Sequence, residues 1–164
     1  MKMKGKMAAF TALLALCLIF AASAGAEEKE ETLPAFTFTA VGGQTIQSEE
    51  LKATPLVVVM MASWCPPCKR EAPELEKAYL AYKDRGVQFL GVFVASSKGS
   101  IEKFSEKYGL TFPVGTSEGD LNDLFGWKPF PAAAFVAPGG VVRIKHFGET
   151  NFEELSEGIE KILE

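Results

Sequence analysis

Two cysteines separated by two prolines are the residues of this chain whose types and spacing best support chemistry. Cys65 and Cys68 follow an uncharged run rich in β-branched residues, 55–62, and stand at the start of an amphipathic stretch, 66–85. This order predicts a buried strand that ends just before Cys65 and a helix that begins there. Because two thiols at this spacing can form and open a disulfide, the pattern indicates thiol–disulfide exchange.

The position of Cys65 at the start of that helix predicts which thiol attacks. Near the N-cap its sulfur can accept a backbone N–H from one turn in, such as that of Cys68, and the positive end of the helix dipole favours a thiolate. We therefore predict that Cys65 is the nucleophile, more exposed and more acidic, and that Cys68 is the resolving thiol. Lys69 adds positive charge, whereas Pro66 and Pro67 lack an N–H and reduce the donors available to the sulfur.

Two other roles for the cysteine pair stay open. A zinc site would need a second pair of ligands, but Cys17 and His146 are the only other cysteine and histidine in the chain, so we predict no metal and no cofactor. A purely structural disulfide is the other alternative, although so short a loop would stabilise the fold little. His146 lies in a predicted strand, where we expect a structural role.

The N-terminus has the organisation of a signal peptide. Three lysines in the first six residues precede an uncharged run, 7–26, that ends in small residues fitting cleavage after Ala26. We therefore predict a signal peptide at 1–26, a solvated acidic tether at 27–32 and one domain at 33–164, in the periplasm or another extracytoplasmic location.

Retention of the N-terminal run as a membrane anchor is the alternative, since 20 uncharged residues could just span a bilayer. Lipidation at Cys17 is less consistent with the sequence, because Leu16 is large where a small residue would be expected. Without residues 1–26, 14 basic residues stand against 21 acidic ones, a net charge of −7. This balance argues against nucleic acid as a partner.

The rest of the chain alternates predicted strands and helices, which implies a mixed sheet covered by helices on both faces. A hairpin of two short strands comes first, and Ser48 is placed to cap a brief helix. A strand and a helix follow the redox helix, then a short helix, a second hairpin around Pro-Gly-Gly and a closing helix that Asn151 caps. The predicted strands are 33–39, 43–47, 55–62, 87–94, 132–136 and 141–147, and the predicted helices are 48–51, 66–85, 98–108, 120–125 and 151–163.

The order of these motifs resembles the thioredoxin superfamily, and specifically its exported TlpA/ResA-type thiol-disulfide oxidoreductases. The resemblance rests on Trp64-Cys-Pro-Pro-Cys-Lys69, on Pro73, and on Phe130-Pro131 before a strand that ends in Pro-Gly-Gly. It covers residues 33–163, and the added segment 94–113 also resembles this subgroup. A thioredoxin-like α/β fold with an N-terminal β-hairpin extension and a helical insertion is therefore expected.

The resemblance implies roles for residues outside the cysteine pair. Pro131 matches a cis-proline that faces the redox pair, and Phe130 would present its backbone to an extended substrate strand. Trp64 matches a tryptophan that shields the nucleophile. Trp127 and Phe130 are candidate side-chain contacts for a substrate, with core packing as the alternative.

The acceptor of the proton that leaves Cys68 is left open by the sequence. Many thioredoxins have a buried aspartate six residues before the first cysteine, where this chain has Val59. ResA-like members place a glutamate where this chain has Ser96. Water and Glu71 are the acceptors that remain.

Three functions compete at this stage. The leading one is an exported reductase of protein disulfides, such as those of apocytochrome c or of oxidase-assembly partners, that a membrane-bound thiol donor keeps reduced and that acts as a monomer. A thiol peroxidase is second, but the usual Pro-x-x-x-Thr-x-x-Cys arrangement of peroxiredoxins is absent. A copper-binding assembly factor is third, and its usual Cys-x-x-x-Cys spacing is one residue longer than this one.

Overall fold

The computed structural model describes residues 30–119, 121–126 and 129–164, without the side chains of residues 122 and 123. The predicted signal peptide, Cys17, the start of the predicted tether and Trp127 lie outside the described residues. Within these described ranges, no helix is both long enough and apolar enough to cross a membrane.

Seven strands form one mixed sheet. β3 pairs in parallel with β4, and β4 with β5, whereas the other neighbours are antiparallel. The order across the sheet is β2-β1-β5-β4-β3-β6-β7. The strands are β1 (Phe36–Ala40), β2 (Thr45–Gln47), β3 (Leu56–Met61), β4 (Gln88–Phe93), β5 (Val114–Gly119), β6 (Ala132–Ala137) and β7 (Val141–Phe147).

Helices cover both faces of this sheet, as predicted. They are α1 (Ser48–Leu51), α2 (Pro66–Tyr82), α3 (Lys98–Tyr108), α4 (Leu121–Phe125) and α5 (Phe152–Leu163), and a 3₁₀ turn, Lys83–Arg85, follows α2. Successive side chains of a strand point to opposite faces. Val57 and Val59 of β3 accordingly share a core with α2, α3 and α5, while Leu56 and Val58 share one with α1 and α4.

The strand β5 was not predicted, and it joins the N-terminal hairpin to the rest of the sheet. Its sequence, Val-Gly-Thr-Ser-Glu-Gly, has one large apolar residue and no alternating pattern. β5 is held between β1 and β4. A Cβ at Gly115 would lie 2.0 Å from the carbonyl oxygen of Thr39, so the close approach of the two backbones requires glycine there. Gly115 thus permits the pairing of β5 with β1. Because it has no side chain, it also interrupts the alternating pattern that would have predicted the strand.

The predicted cap of the first helix was wrong by one residue. Gln47 is the N-cap of α1, and the Glu50 side chain accepts the Gln47 N–H at 3.4 Å. Ser48 is the first helical residue, and its Oγ accepts the N–H of Phe36 at 3.1 Å. The hydroxyl therefore joins α1 to β1.

The cap of the closing helix agrees with the prediction. Asn151 Oδ1 accepts the N–H of Glu154 at 3.0 Å, and the Glu154 carboxylate accepts the N–H of Asn151 at 3.0 Å. This reciprocal capping box satisfies two backbone donors that the helix start leaves free. It also fixes the start of α5 directly after Thr150, a residue that contacts the redox helix.

The described end of the predicted acidic tether lies along the edge strand β7. Glu30 pairs with Arg143 at 2.8 Å and Glu31 with Lys145 at 2.7 Å. Thr32 forms an isolated antiparallel bridge with Val141. Main-chain and charged contacts therefore join residues 30–32 to the sheet.

Candidate redox site

Cys65 is the N-cap residue of α2, as predicted. Its backbone is extended, with φ −78° and ψ 117°, and its sulfur accepts the N–H of Cys68 at 3.4 Å. Pro66 and Pro67 occupy the first two helical positions, where an absent N–H costs the helix nothing. Cys65 and Cys68 form a disulfide with their Cα atoms 5.3 Å apart.

The two sulfurs of this disulfide are not equally accessible. Cys65 is 4% exposed and Cys68 is fully buried. This order agrees with the prediction that Cys65 is the more exposed of the two. Pro66 beside it is exposed, Pro67 and Lys69 are half-buried, and the N–H of Lys69 donates to the Cys65 carbonyl at 3.2 Å.

The segment before β6 brings Phe130 and Pro131 to the disulfide. The Phe130–Pro131 peptide bond is cis, as predicted. The carbonyl oxygen of Phe130 lies 3.8 Å from the sulfur of Cys65. Pro131 is buried and its carbonyl accepts the N–H of Gly148 at 2.9 Å, whereas Phe130 is half-buried. Residues that the sequence placed 65 positions apart therefore meet at one point.

Trp64 lies on the open side of the site. It is 59% exposed, and its indole N–H donates to the carbonyl oxygen of Ala95 at 3.2 Å. An aromatic side chain this exposed contributes little to a core. Trp64 is therefore available to a molecule that approaches Cys65.

Glu71 is a buried carboxylic acid one turn after Cys68 on α2. It is 1% exposed, and its Oε1 accepts the N–H of Thr150 at 3.1 Å and also the Thr150 hydroxyl. Among the described residues no group donates to its Oε2. Burial raises the pKa of Glu71 to about 7, although the bonds from Thr150 oppose the shift. This carboxyl can exchange a proton near neutral pH.

Val59 and Ser96, the two positions at which the resemblance suggested an acid, hold none. Val59 is a fully buried apolar residue of β3. Ser96 lies in the loop after β4, and its Oγ accepts the N–H of Ser63 at 3.0 Å. Glu71 was one of two acceptors that the sequence left open. Its three-residue spacing from Cys68 places it on the same face of the helix, a signal that the sequence contains.

Groups that suit a metal ion are absent from the described part of the chain, where no three His, Cys, Asp or Glu side chains gather. His146 is half-buried on β7, opposite Ala133 of β6. The side chains described at the site include the two sulfurs of Cys65 and Cys68 and the carboxyl of Glu71.

Comparison with known proteins decides the family. The model of the AhpC/TSA family matches residues 30–145. Thiol-disulfide oxidoreductase ResA of Geobacillus kaustophilus is 30% identical over 132 residues, which cover 80% of this chain and 76% of that protein. The chain belongs to the AhpC/TSA family, among its ResA-type thiol-disulfide oxidoreductases. ResA of Halalkalibacterium halodurans is 29% identical over 128 residues, 77% of this chain and 73% of the relative.

Solved structures agree with a thioredoxin-like fold. The thioredoxin-family thiol:disulfide interchange protein of Chlorobium tepidum has a TM-score of 0.76 over 85% of this chain and 100% of its own, and its 23% identity supports the fold alone. The dsbF protein of Mycobacterium tuberculosis is 28% identical, with a TM-score of 0.69 over 77% of this chain and 93% of that protein. The predicted thioredoxin-like fold and the predicted oxidoreductase class are both confirmed.

Proposed function

We propose that this ResA-type protein is exported and reduces disulfides of extracytoplasmic proteins through Cys65 and Cys68. The observation that carries the proposal is the Cys65–Cys68 disulfide at the start of α2, with the Phe130 carbonyl 3.8 Å from the Cys65 sulfur. A dithiol at a helix start suits disulfide exchange because the helix end favours the thiolate. The backbone of the Phe130–Pro131 segment next to that thiolate is the proposed contact for a substrate backbone.

The proposed reaction has two exchange steps. The Cys65 thiolate attacks one sulfur of the substrate disulfide, forms a mixed disulfide and releases the first substrate thiolate. The Cys68 thiolate then attacks the Cys65 sulfur, forms the Cys65–Cys68 disulfide and releases the second substrate thiolate. Cys65 and Cys68 give up two thiol protons in all, and the two released substrate thiolates take up two protons to become thiols.

Glu71 is the proposed acceptor of the Cys68 proton. Both residues are buried on the same side of α2, one turn apart, so bulk water reaches the Cys68 thiol poorly. A carboxyl whose pKa is about 7 can take up that proton and release it again at neutral pH. It thereby converts a buried thiol into the thiolate that resolution needs.

Phe130 and Trp64 are the proposed substrate contacts. The backbone at Phe130 would pair with an extended segment that carries the substrate cysteine, in the manner of strand addition to a sheet edge. The exposed indole of Trp64 would cover the other side of the reacting sulfurs. Lys69, Pro66 and Pro67 support the helix start that holds Cys65.

Export and a membrane-bound donor complete the proposal. The charged start, the apolar run and the small residues before Glu27 support a signal peptide. A secreted Mycobacterium tuberculosis disulfide oxidoreductase is 25% identical to this chain, with a TM-score of 0.68 over 76% of the chain and 94% of that protein. A dithiol of a membrane protein would return two electrons and two protons to the Cys65–Cys68 disulfide, and the protein would act as a monomer.

Reduction of insulin tests the proposed activity. With dithiothreitol as the donor, we expect the purified protein at catalytic concentration to accelerate the precipitation of reduced insulin chains well beyond dithiothreitol alone. Precipitation at the rate of dithiothreitol alone would contradict the proposal. Consumption of hydrogen peroxide by the reduced protein, without insulin reduction, would favour the thiol peroxidase alternative.

A further inference from the structure

Two hydrogen bonds join the residues just before Cys65 to the loop that follows β4. The N–H of Ser63 donates to Ser96 Oγ at 3.0 Å, and the indole N–H of Trp64 donates to the Ala95 carbonyl at 3.2 Å. Two consecutive residues before Cys65 are thus bonded to two consecutive residues of the loop after β4. We name these four residues, Ser63, Trp64, Ala95 and Ser96, the tryptophan latch.

The hydroxyl of Ser96 is oriented for this contact. It donates to the Val94 carbonyl at 3.0 Å, which leaves its lone pairs for Ser63. The Ser63 hydroxyl lies 3.1 Å from Ser96 Oγ and 3.2 Å from Ser100 Oγ. Ser96 Oγ therefore accepts the backbone N–H of Ser63, and it lies, with Ser100 Oγ, within reach of the single Ser63 hydroxyl proton.

The backbone at Ala95 has an uncommon conformation. Ala95 has φ 45°, and in the described part of the chain it is the only residue other than glycine with a positive φ. A left-handed backbone is unfavourable for alanine and persists only where its surroundings hold it. At Ala95 this conformation accompanies the hydrogen bond that the Ala95 carbonyl accepts from the Trp64 indole N–H. The next residue, Ser96, is held by its bonds to Ser63 and Val94.

We propose that Ser96 is a positioning residue that holds Trp64 in place as a substrate contact beside Cys65. This inference rests on the proposed function. Because Trp64 is 59% exposed, little packing fixes its ring, and the latch supplies the fixed contacts. An aromatic side chain that is already ordered loses less conformational entropy when a substrate binds.

The variant Ser96→Ala tests the role of the latch with two substrates. For insulin, which is large enough to contact Trp64, we expect kcat/KM to fall about 5-fold, mostly through a higher KM, because Trp64 is then less ordered when the substrate binds. For the small disulfide 5,5′-dithiobis(2-nitrobenzoate), which needs only the Cys65 sulfur, we expect an unchanged rate. Equal loss with both substrates, or no loss with either, would overturn the proposal.

Three further variants separate positioning from folding. Ser96→Thr keeps the hydroxyl and should restore the insulin KM, so a KM that stays high would also contradict the proposal. Ser105→Ala removes a hydroxyl of α3 that donates to the Leu110 carbonyl at 3.1 Å, and it should behave as wild type. In a Trp64→Phe background, Ser96→Ala should have little further effect, because residues that act together are not additive.

These outcomes are distinct from failure of the proposed function. A wild-type protein that does not reduce insulin would refute the reductase proposal itself. A wild-type protein that reduces insulin, together with a Ser96→Ala variant of unchanged KM and normal thermal stability, would refute only the role of Ser96.

Discussion

Replacing Cys65 by serine is expected to abolish disulfide reduction, whereas replacing Cys68 by serine should trap substrates on Cys65. Without the Cys65 sulfur no mixed disulfide forms, because Cys68 is fully buried and cannot reach a protein substrate. Without Cys68 the first step still occurs, but the mixed disulfide is no longer resolved. Insulin turnover should fall to the background rate in both variants, and non-reducing electrophoresis with mass spectrometry should find an adduct only in Cys68→Ser.

The matched control is the double variant Cys65→Ser/Cys68→Ser, which should form no adduct. Adducts on Cys68 in the Cys65→Ser variant would reverse the assignment of the two thiols. Adducts in neither single variant would remove the exchange mechanism altogether.

Replacing Glu71 by glutamine is expected to remove a large pH dependence of stability. The pKa of Glu71 is about 7 in the folded protein, against an ordinary value of 4.5. The folded state therefore binds more protons than the unfolded state between these values, so the free energy of unfolding falls as the pH rises through about 7. A pKa shift of this size corresponds to a contribution of about 3 kcal/mol to the free energy of unfolding. This contribution is fully lost above the pKa of Glu71 in the folded protein.

Urea unfolding at about pH 5 and about pH 8.5 measures this change with the disulfide intact. Wild type should lose about 2.5 kcal/mol more than Glu71→Gln between the two pH values, since the contributions of groups that behave alike in both proteins cancel in the comparison. Equal losses in the two proteins would show that burial does not raise the pKa of Glu71. Its carboxylate would then be too weak a base to hold the proton of Cys68 near neutral pH.

The redox helix and its surroundings were predictable because local rules decide them. Cys65 at a helix start, the buried run that becomes β3 and the cap at Asn151 are each determined by nearby residues. The cis bond at Pro131 came from the resemblance, since sequence chemistry alone favours trans.

The parts that the sequence did not predict depend on contacts between distant segments. β5 exists because β1 and β4 pair with it on either side, and Gly115 there carries no side chain that would show a pattern. The sequence identified Ser96 only as a position without the expected acid. Its hydrogen bond with Ser63 was not predicted because the two residues are 33 positions apart in the chain. Glu71 was one of two open acceptors because burial raises its pKa, and that burial depends on the packing of distant segments of the chain.

Equilibration with glutathione buffers of defined potential tests most directly whether Cys65 and Cys68 are a working redox pair. Samples are quenched with acid, alkylated and analysed by mass spectrometry for the fraction of dithiol. We predict one reversible two-electron transition with a midpoint between about −270 and −120 mV, the range of catalytic thioredoxin-fold proteins. A disulfide that stays oxidised below about −300 mV, as structural disulfides do, would contradict the account.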